Sequence, residues 1–227
     1  MNNLIDFFRD KKYELLLLAL IQHLYIGIFL TDMSFYTRVI WPINMVVLGI
    51  ASIGVFIEKS RWKNLVRNLL FLMVLALPLA IPLMRDLSVY MQILCILYVL
   101  FFSFIFWEVL MFLMKPGYIN IDIISAAGCG YFLLIEIGVF LMQYFYYQDP
   151  GSFRGLKAKG ISTAFIDLVY FCSITFSSIG FGDITPNSPN TKLVISLFGI
   201  LGQFYSVVLF GILISKFSSQ QPEEKSN

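Results

Sequence analysis

The sequence predicts an all-α membrane protein with six transmembrane helices and a re-entrant segment between the fifth and the sixth helix. Hydrophobic residues make up 59% of its 227 residues and charged residues only 13%, whereas soluble domains have about 45–50% and about 25%. The mean hydropathy is +0.81. A net charge of +2 is too small for a polyanionic partner. Composition therefore excludes a soluble enzyme, a disordered chain and a nucleic-acid-binding protein, and places the chain in a lipid bilayer.

Six apolar runs define the helices, because each approaches the ~20 residues that cross the hydrocarbon core. The first run follows basic residues like a signal peptide but lacks a small-residue cleavage site, so we expect it to be retained. The six runs are Tyr13–Leu30, Val39–Ile57, Leu65–Met84, Leu87–Met114, Ile121–Tyr147 and Thr191–Phe217.

The basic residues of the short loops predict the orientation, since Lys and Arg concentrate on the cytoplasmic side. In the early loops, seven lie on the side of the N-terminus and two on the other. We therefore expect both termini to be cytoplasmic and the protein to be a multi-pass component of the cell membrane, plasma or inner. The seven are Arg9, Lys11, Lys12, Lys59, Arg61, Lys63 and Arg67, and the two are Arg38 and Arg85.

The stretch Gln148–Asn190 is polar at both ends and apolar in the middle. Within it, Ser162–Thr175 is typical of a helix too short to span, and two glycines separated by one residue follow in Ser177–Asp183. Irregular backbone survives at membrane depth only where protein buries it or it lines a water-filled cavity. Alternating backbone conformations can turn a row of carbonyl oxygens toward one axis, and glycine adopts the necessary positive φ without a Cβ penalty. We expect the Ser178 hydroxyl to lie below these carbonyls, and the negative end of the short helix to favour a cation.

The segment Thr175–Asp183 resembles the potassium-channel signature Thr-x-Thr-Thr-Val-Gly-Tyr-Gly-Asp, in which backbone carbonyls replace the hydration shell of the ion. Its Gly-Phe-Gly version is similar to the pore loops of two-pore-domain potassium channels. The resemblance covers Ile121–Ser218, a helix, pore loop and helix. It implies a potassium-selective channel of the six-transmembrane, single-pore-loop type that mediates passive flux, with permeant K⁺ and no cofactor.

The resemblance also implies a role for each matching position. Carbonyl groups, together with the Ser178 hydroxyl, would bind K⁺, and the neighbouring side chains would support them. Asp183 would lie behind the outer mouth, with Tyr170 as the aromatic donor that reaches it. The predicted selectivity filter consists of Ser178, Ile179, Gly180, Phe181 and Gly182, of which the first four would bind K⁺, and its supports are Thr175, Ser177, Asp183 and Tyr170.

Gly202 lies in the last apolar run and matches the hinge glycine of the family's inner helix. It is therefore the candidate gating hinge. Gly199 and Gly211 are rival hinges, or points of close packing between helices, which is the common use of small residues in membranes.

Two departures from the signature leave alternatives open. Ser177 and Ser178 stand where the family has threonines, so the methyl that restricts the hydroxyl rotamer is absent. A weakly selective monovalent cation channel therefore remains an alternative. Phe181 in place of tyrosine removes an outer hydroxyl, so packing must support the filter there.

A protease is the second alternative, because Gly180–Asp183 also fits the Gly-x-Gly-Asp motif of intramembrane aspartyl proteases. That chemistry needs two carboxylates that share a proton, and the Tyr-Asp pair that commonly supplies the second does not occur in this sequence. A structural membrane protein with an accidental match is the third class. We predict that the chain is not an enzyme.

The predicted organisation has three parts. Residues 1–115 form a four-helix, voltage-sensor-like domain without the arginines of a true fourth helix, residues 116–218 form the pore domain, and residues 219–227 are a short cytoplasmic tail. Asp86–Met114 contains no Lys or Arg, which predicts weak or no voltage dependence. One chain supplies one filter strand, so a ring of carbonyls implies a homotetramer.

The remaining polar groups of the apolar runs are expected to be structural, since isolated ionisable side chains are expensive in a membrane. Glu136 is expected to be a protonated or hydrogen-bonded structural group, and the alternatives are support of the filter from behind and a proton sensor. Glu108 and His23 are expected to pair with polar groups within the four-helix half. The three cysteines, Cys95, Cys129 and Cys172, are expected to be buried thiols.

Overall fold

The computed structural model describes residues 10–29, 32–56, 60–80, 87–115, 120–158 and 160–218. These ranges contain seven long helices and one short β-ribbon. The helices are α1 Lys12–Phe29, α2 Met33–Phe56, α3 Arg61–Ala80, α4 Leu87–Leu113, α5 Ile121–Gln148, α6 Ile161–Phe176 and α7 Pro189–Ser218, and the strands are β1 Phe153–Arg154 and β2 Thr185–Pro186.

Five of these helices, α1, α2, α4, α5 and α7, are long and apolar enough to cross a membrane. The chain is therefore a multi-pass α-helical membrane protein. Helix α3 is not among the five, and its predicted role as the third span stays a prediction. Helix α6 is apolar but has only 16 residues, about 24 Å of helix against the ~30 Å of a bilayer core. The predicted tail, residues 219–227, lies outside the described residues.

Helix α2 begins at Met33, earlier than the predicted start at Val39. The Asp32 side chain explains this start, because it accepts hydrogen bonds from the backbone N–H groups of Ser34 (2.8 Å) and Phe35 (3.2 Å) and so caps the first turn. Tyr36–Ile40 then forms a π-helical turn. This wide turn comes just before Pro42, which has no N–H to donate and whose ring disfavours a regular turn.

Helix α5 is the central element of the fold. It packs against α4 along most of its length, and also against α1, α6 and α7. An aromatic cluster fills the space between these helices: Tyr98, Phe102, Phe140 and Phe165 have ring centroids 4.3 to 6.4 Å from their neighbours in the cluster. The first four helices therefore contact α5–α7 through α1, α2 and α4. The predicted division at residue 115 stays a prediction.

The structure tests three predictions about polar side chains. The three cysteines are buried and free, which confirms their assignment as buried thiols. Glu108 forms an ion pair with Lys63 of α3, so its predicted pairing within the first four helices is confirmed. The same prediction for His23 is wrong, because its Nδ1 lies 2.6 Å from Glu136 Oε1 on α5. His23 lies on the face of α1 that packs against α5.

Candidate functional site

The segment that follows α6 turns back over the end of this helix. The carbonyl of Ile174 accepts hydrogen bonds from the N–H groups of Ile179 (2.9 Å) and Gly180 (3.1 Å). Carbonyls in the last turn of a helix have no partner within the helix, so this pairing satisfies one of them. It also fixes the start of the segment at the C-terminal end of α6, where the partial negative charge of the helix favours a cation.

The backbone of this segment alternates between positive and negative φ. Ser178, Gly180 and Gly182 have φ values of +60°, +55° and +79°, whereas Ile179 and Phe181 between them keep negative φ. Such alternation can turn successive carbonyl groups toward the same side. The assignment of these carbonyls to ion sites stays a prediction. A row of carbonyl oxygens on one side of a strand can replace the water around a monovalent cation.

Ser178 is the residue of positive φ that the sequence did not predict. Among the described residues it is the one non-glycine residue with a left-handed backbone. This conformation is uncommon for a residue with a Cβ. The alternation therefore extends one step below the two glycines and includes the serine whose hydroxyl was expected to add an oxygen.

Residues Ser177 to Asp183 are exposed in the single chain. Ile179 is 57% exposed and Phe181 is 69% exposed, although both are large and apolar. Helix α7 behind them also presents exposed apolar residues, among them Ile200 (67%) and Phe204 (65%). An apolar surface that includes the candidate filter indicates a face that something else covers.

Tyr170 of α6 contacts the C-terminal end of the candidate filter. Its hydroxyl donates a hydrogen bond of 2.8 Å to Asp183 Oδ2. The Tyr170 ring also stacks parallel to the Phe181 ring, with centroids 6.5 Å apart and an interplanar angle of 5°. The structure thus brings Tyr170 and Asp183 together. The hydroxyls of the other two predicted support residues, Thr175 and Ser177, instead donate to the carbonyls of Phe171 (2.7 Å) and Ser173 (2.8 Å) of α6.

Gly155, in the loop before α6, approaches the filter closely. It has φ +83°, and a Cβ at this position would lie 1.8 Å from the Asp183 carbonyl oxygen. Strand β1 pairs antiparallel with β2, Phe153 opposite Pro186 and Arg154 opposite Thr185. The loop before α6 is therefore joined to the backbone that follows the candidate filter, and only glycine fits where the two meet. The sequence alone did not indicate Gly155, because its partner, Asp183, is distant in sequence.

Gly202 lies where α7 crosses the end of α6. A Cβ on Gly202 would lie 2.5 Å from Phe176 Cδ1, and one on Gly138 of α5 would lie 2.9 Å from Phe176 Cε2. Two glycines from different helices thus receive the ring of Phe176. Helix α7 continues through Gly202 without interruption, so Gly202 is a packing point, and its role as a hinge stays a prediction.

Gln203, the residue after Gly202, contacts the start of the filter. The Ser178 hydroxyl donates a hydrogen bond of 3.2 Å to Gln203 Oε1. Gln203 was not among the predicted site residues, although the sequence carries a signal: an amide in an apolar run that spans a membrane is expensive unless it faces a polar partner or water.

Two hydrogen bonds join α6 to the N-terminal helices. Tyr25 and Ser173 lie 2.9 Å apart through their hydroxyl oxygens, and the Ser162 hydroxyl donates to the carbonyl of Met33 (3.2 Å). The helix that carries the filter is therefore held by the first two helices at both ends.

Comparison with known proteins agrees with this geometry. A family model described as "Ion channel" matches residues 93–219, more than half of the 227-residue chain. The chain is 33% identical over 88 residues to two pore potassium channel c of Oryza sativa subsp. japonica, and the aligned region covers 36% of this chain and 19% of that protein. It is 29% identical over 94 residues to two-pore potassium channel 1 of Arabidopsis thaliana, which covers 41% of this chain and 23% of that protein. The matches thus span about a fifth of these relatives. No solved structure matches the chain.

Proposed function

This chain belongs to the ion channel family, and on that premise we propose that it is a potassium-selective channel that mediates passive K⁺ flux across a membrane. Membership of this family makes it a channel protein and not an enzyme, as the sequence predicted. The family match gives an ion channel without naming its ion, and we propose that this ion is K⁺. The curated relatives that match parts of the chain are named as potassium channels.

One observation carries the choice of K⁺: the positive φ at Ser178, Gly180 and Gly182, with residues of negative φ between them. In the proposed function, the carbonyl oxygens of Ser178, Ile179, Gly180 and Phe181 form successive ion sites, and the Ser178 hydroxyl adds the innermost oxygen. Rings of carbonyls of this kind replace the hydration shell of K⁺. The C-terminal end of α6 adds a partial negative charge below them.

The proposed assembly is a homotetramer around the filter. A single chain supplies one filter strand, and a closed ring of carbonyls needs several strands related by cyclic symmetry. The exposure of Ile179 (57%) and Phe181 (69%) supports this assembly, because these side chains are too large and apolar to face water in a finished pore. Helix α7 then lines the pore on one face and contacts neighbouring copies on the other.

The proposed orientation places both termini in the cytoplasm, in the plasma or inner membrane. The distribution of basic residues in the early loops supports this arrangement. It places Tyr170, Asp183 and the β-ribbon at the outer surface. Helix α3 would then be the third of six spans, and the filter would lie in the outer half of the membrane.

Reconstitution of the purified protein into planar bilayers tests the proposal. Under bi-ionic conditions, with K⁺ on one side and Na⁺ at the same concentration on the other, we expect a reversal potential far from zero, of the sign that opposes K⁺ flow, since its size measures the K⁺/Na⁺ permeability ratio. Cross-linking of the purified protein should give a largest species of four chains. Absence of cation conductance, or a conductance that prefers anions, would reject the proposed function.

A weakly selective monovalent cation channel is the second candidate, and Ser178 is the observation that favours it. A serine lacks the methyl group that restricts a threonine hydroxyl. A reversal potential near zero in the same bi-ionic experiment would establish this alternative. The substitution Ser178→Thr should then shift the reversal potential away from zero, toward that of a K⁺-selective channel.

A further inference from the structure

The Ser178 hydroxyl can bind a cation only through its oxygen lone pairs. A serine hydroxyl has one hydrogen to donate and two lone pairs to offer. If the hydrogen points toward the pore axis, it repels the ion. An acceptor away from the pore axis is therefore needed to take this hydrogen, and serine has no methyl group to restrict its rotamer.

Gln203 provides such an acceptor. The Ser178 hydroxyl donates to Gln203 Oε1 at 3.2 Å, across 25 positions of sequence. Gly202 makes this contact possible: its missing side chain leaves room for the Phe176 ring, which a Cβ would approach to 2.5 Å. The close packing of α7 on the end of α6 brings the next residue, Gln203, to the start of the filter.

The surroundings of Gln203 are otherwise apolar. It lines a groove of about 410 Å³ with Gly199, Ile200, Phe204 and Val207. Among these lining residues it alone has a polar side chain. Exposing an amide to lipid in this part of a membrane helix costs free energy. This cost is avoided if the groove faces the water-filled pore.

We propose that Gln203 is a positioning residue for ion selectivity. This inference rests on the proposed function. By accepting the hydroxyl hydrogen of Ser178, Gln203 holds this side chain so that its oxygen lone pairs face the innermost ion site. The amide thereby does from the inner helix what the methyl group of a threonine does within the residue itself. The serine of this filter and the glutamine of its inner helix form one functional unit.

The test compares Gln203→Met with Gln203→Asn in the full-length chain. Methionine has a similar length but no strong acceptor, and asparagine keeps an amide in the groove but is too short to reach Ser178. We expect either substitution to lower the K⁺/Na⁺ permeability ratio, measured from bi-ionic reversal potentials, by about two- to tenfold, the value of one hydrogen bond. Gln22→Met is the matched control, because the Gln22 amide donates to Asn44 Oδ1 of α2 and not to the filter segment, and it should leave the ratio unchanged.

Rescue by a second substitution separates positioning from a general structural role. In Ser178→Thr/Gln203→Met, the threonine methyl restricts the hydroxyl, and we expect the permeability ratio to return to that of Ser178→Thr alone. A K⁺-selective wild type whose ratio does not change in Gln203→Met would overturn this inference and leave the proposed function standing. A reduced ratio without rescue would overturn it too. A wild type without K⁺ selectivity would instead reject the proposed function.

Discussion

His23 Nδ1 and Glu136 Oε1 lie 2.6 Å apart in the membrane-embedded core, with the two side chains only 1% and 0% exposed. This contact joins α1 to α5 beside the ring of Phe165 on the helix that carries the filter, whose centroid lies 5.3 Å from the imidazole. His23 Nε2 and Glu136 Oε2 have no hydrogen-bond partner among the described residues. Within that part of the chain, each side chain depends on the other for its polar contact.

We expect His23→Phe to lower the free energy of unfolding by about 1–3 kcal/mol, the cost of leaving a buried polar group unpaired. The measurement is thermal unfolding of the purified protein in detergent. The matched control is His23→Phe/Glu136→Leu, which removes both polar groups and should be more stable than His23→Phe alone. Equal stability of wild type and His23→Phe would show that this contact does not hold α1 to α5.

We expect Gly180→Ala and Gly182→Ala to abolish K⁺ flux, because each glycine has a positive φ that a Cβ disfavours. A Cβ at either position would have no atom within 4 Å, so crowding within the chain is not the cause. Gly160→Ala is the matched control: Gly160 is also open but has φ −177°, which any residue adopts. Liposome flux assays should find it active, and selective flux through Gly180→Ala would contradict the assignment of the carbonyl sites.

The substitution Gly202→Ala tests packing against hinge bending. We expect it to cost about 1–3 kcal/mol through overpacking against Phe176, seen as loss of assembled protein in size-exclusion chromatography. Phe176→Leu should restore assembly by making room, whereas a hinge defect would persist in the double variant. Gly211→Ala is the control, since a Cβ there would have no atom within 4 Å.

We expect the conductance of the channel to depend weakly on voltage. Helix α4 carries no Lys or Arg, Lys63 of α3 is paired with Glu108, and the Arg67 guanidinium lies 5.7 Å from the centre of the Phe56 ring. The slope of the conductance–voltage curve should therefore give an apparent gating charge of about one or fewer per channel, against about 3–4 per subunit in true sensors. Steep activation over a few tens of millivolts would contradict this. Lys63→Gln should leave the slope unchanged.

Local sequence patterns were enough to predict the elements of the candidate site. The short helix was predicted as Ser162–Thr175 and extends over Ile161–Phe176, because apolar length and the two glycines that follow are local signals. Tyr170 and Asp183 also lie as the resemblance implied. These residues are close in sequence, so the backbone of one short segment determines their geometry.

Contacts between distant segments could not be predicted in this way. His23 meets Glu136 across 113 positions, and Ser178 meets Gln203 across 25. No periodicity specifies which helices pack together, and the error for His23 came from assuming that the first four helices pack mainly on one another. The start of α2 was also misplaced, since the Asp32 cap and the π-helical turn precede the apolar run.

The attachment of α1 to residues much later in the chain has a consequence for biosynthesis. Ribosomes add about 5–20 residues per second, so the 113 positions between His23 and Glu136 correspond to a delay of roughly 6–23 s. During that interval the imidazole of His23 in the nascent first helix has a partner that has not yet been synthesised. The delay is longer for Tyr25, because its partner Ser173 lies still later in the chain. The insertion machinery must therefore hold α1 in contact with water or with the machinery until α5 has been synthesised. Variants that weaken the packing of α1 on α5 would then be removed by cellular quality control before a pore has formed.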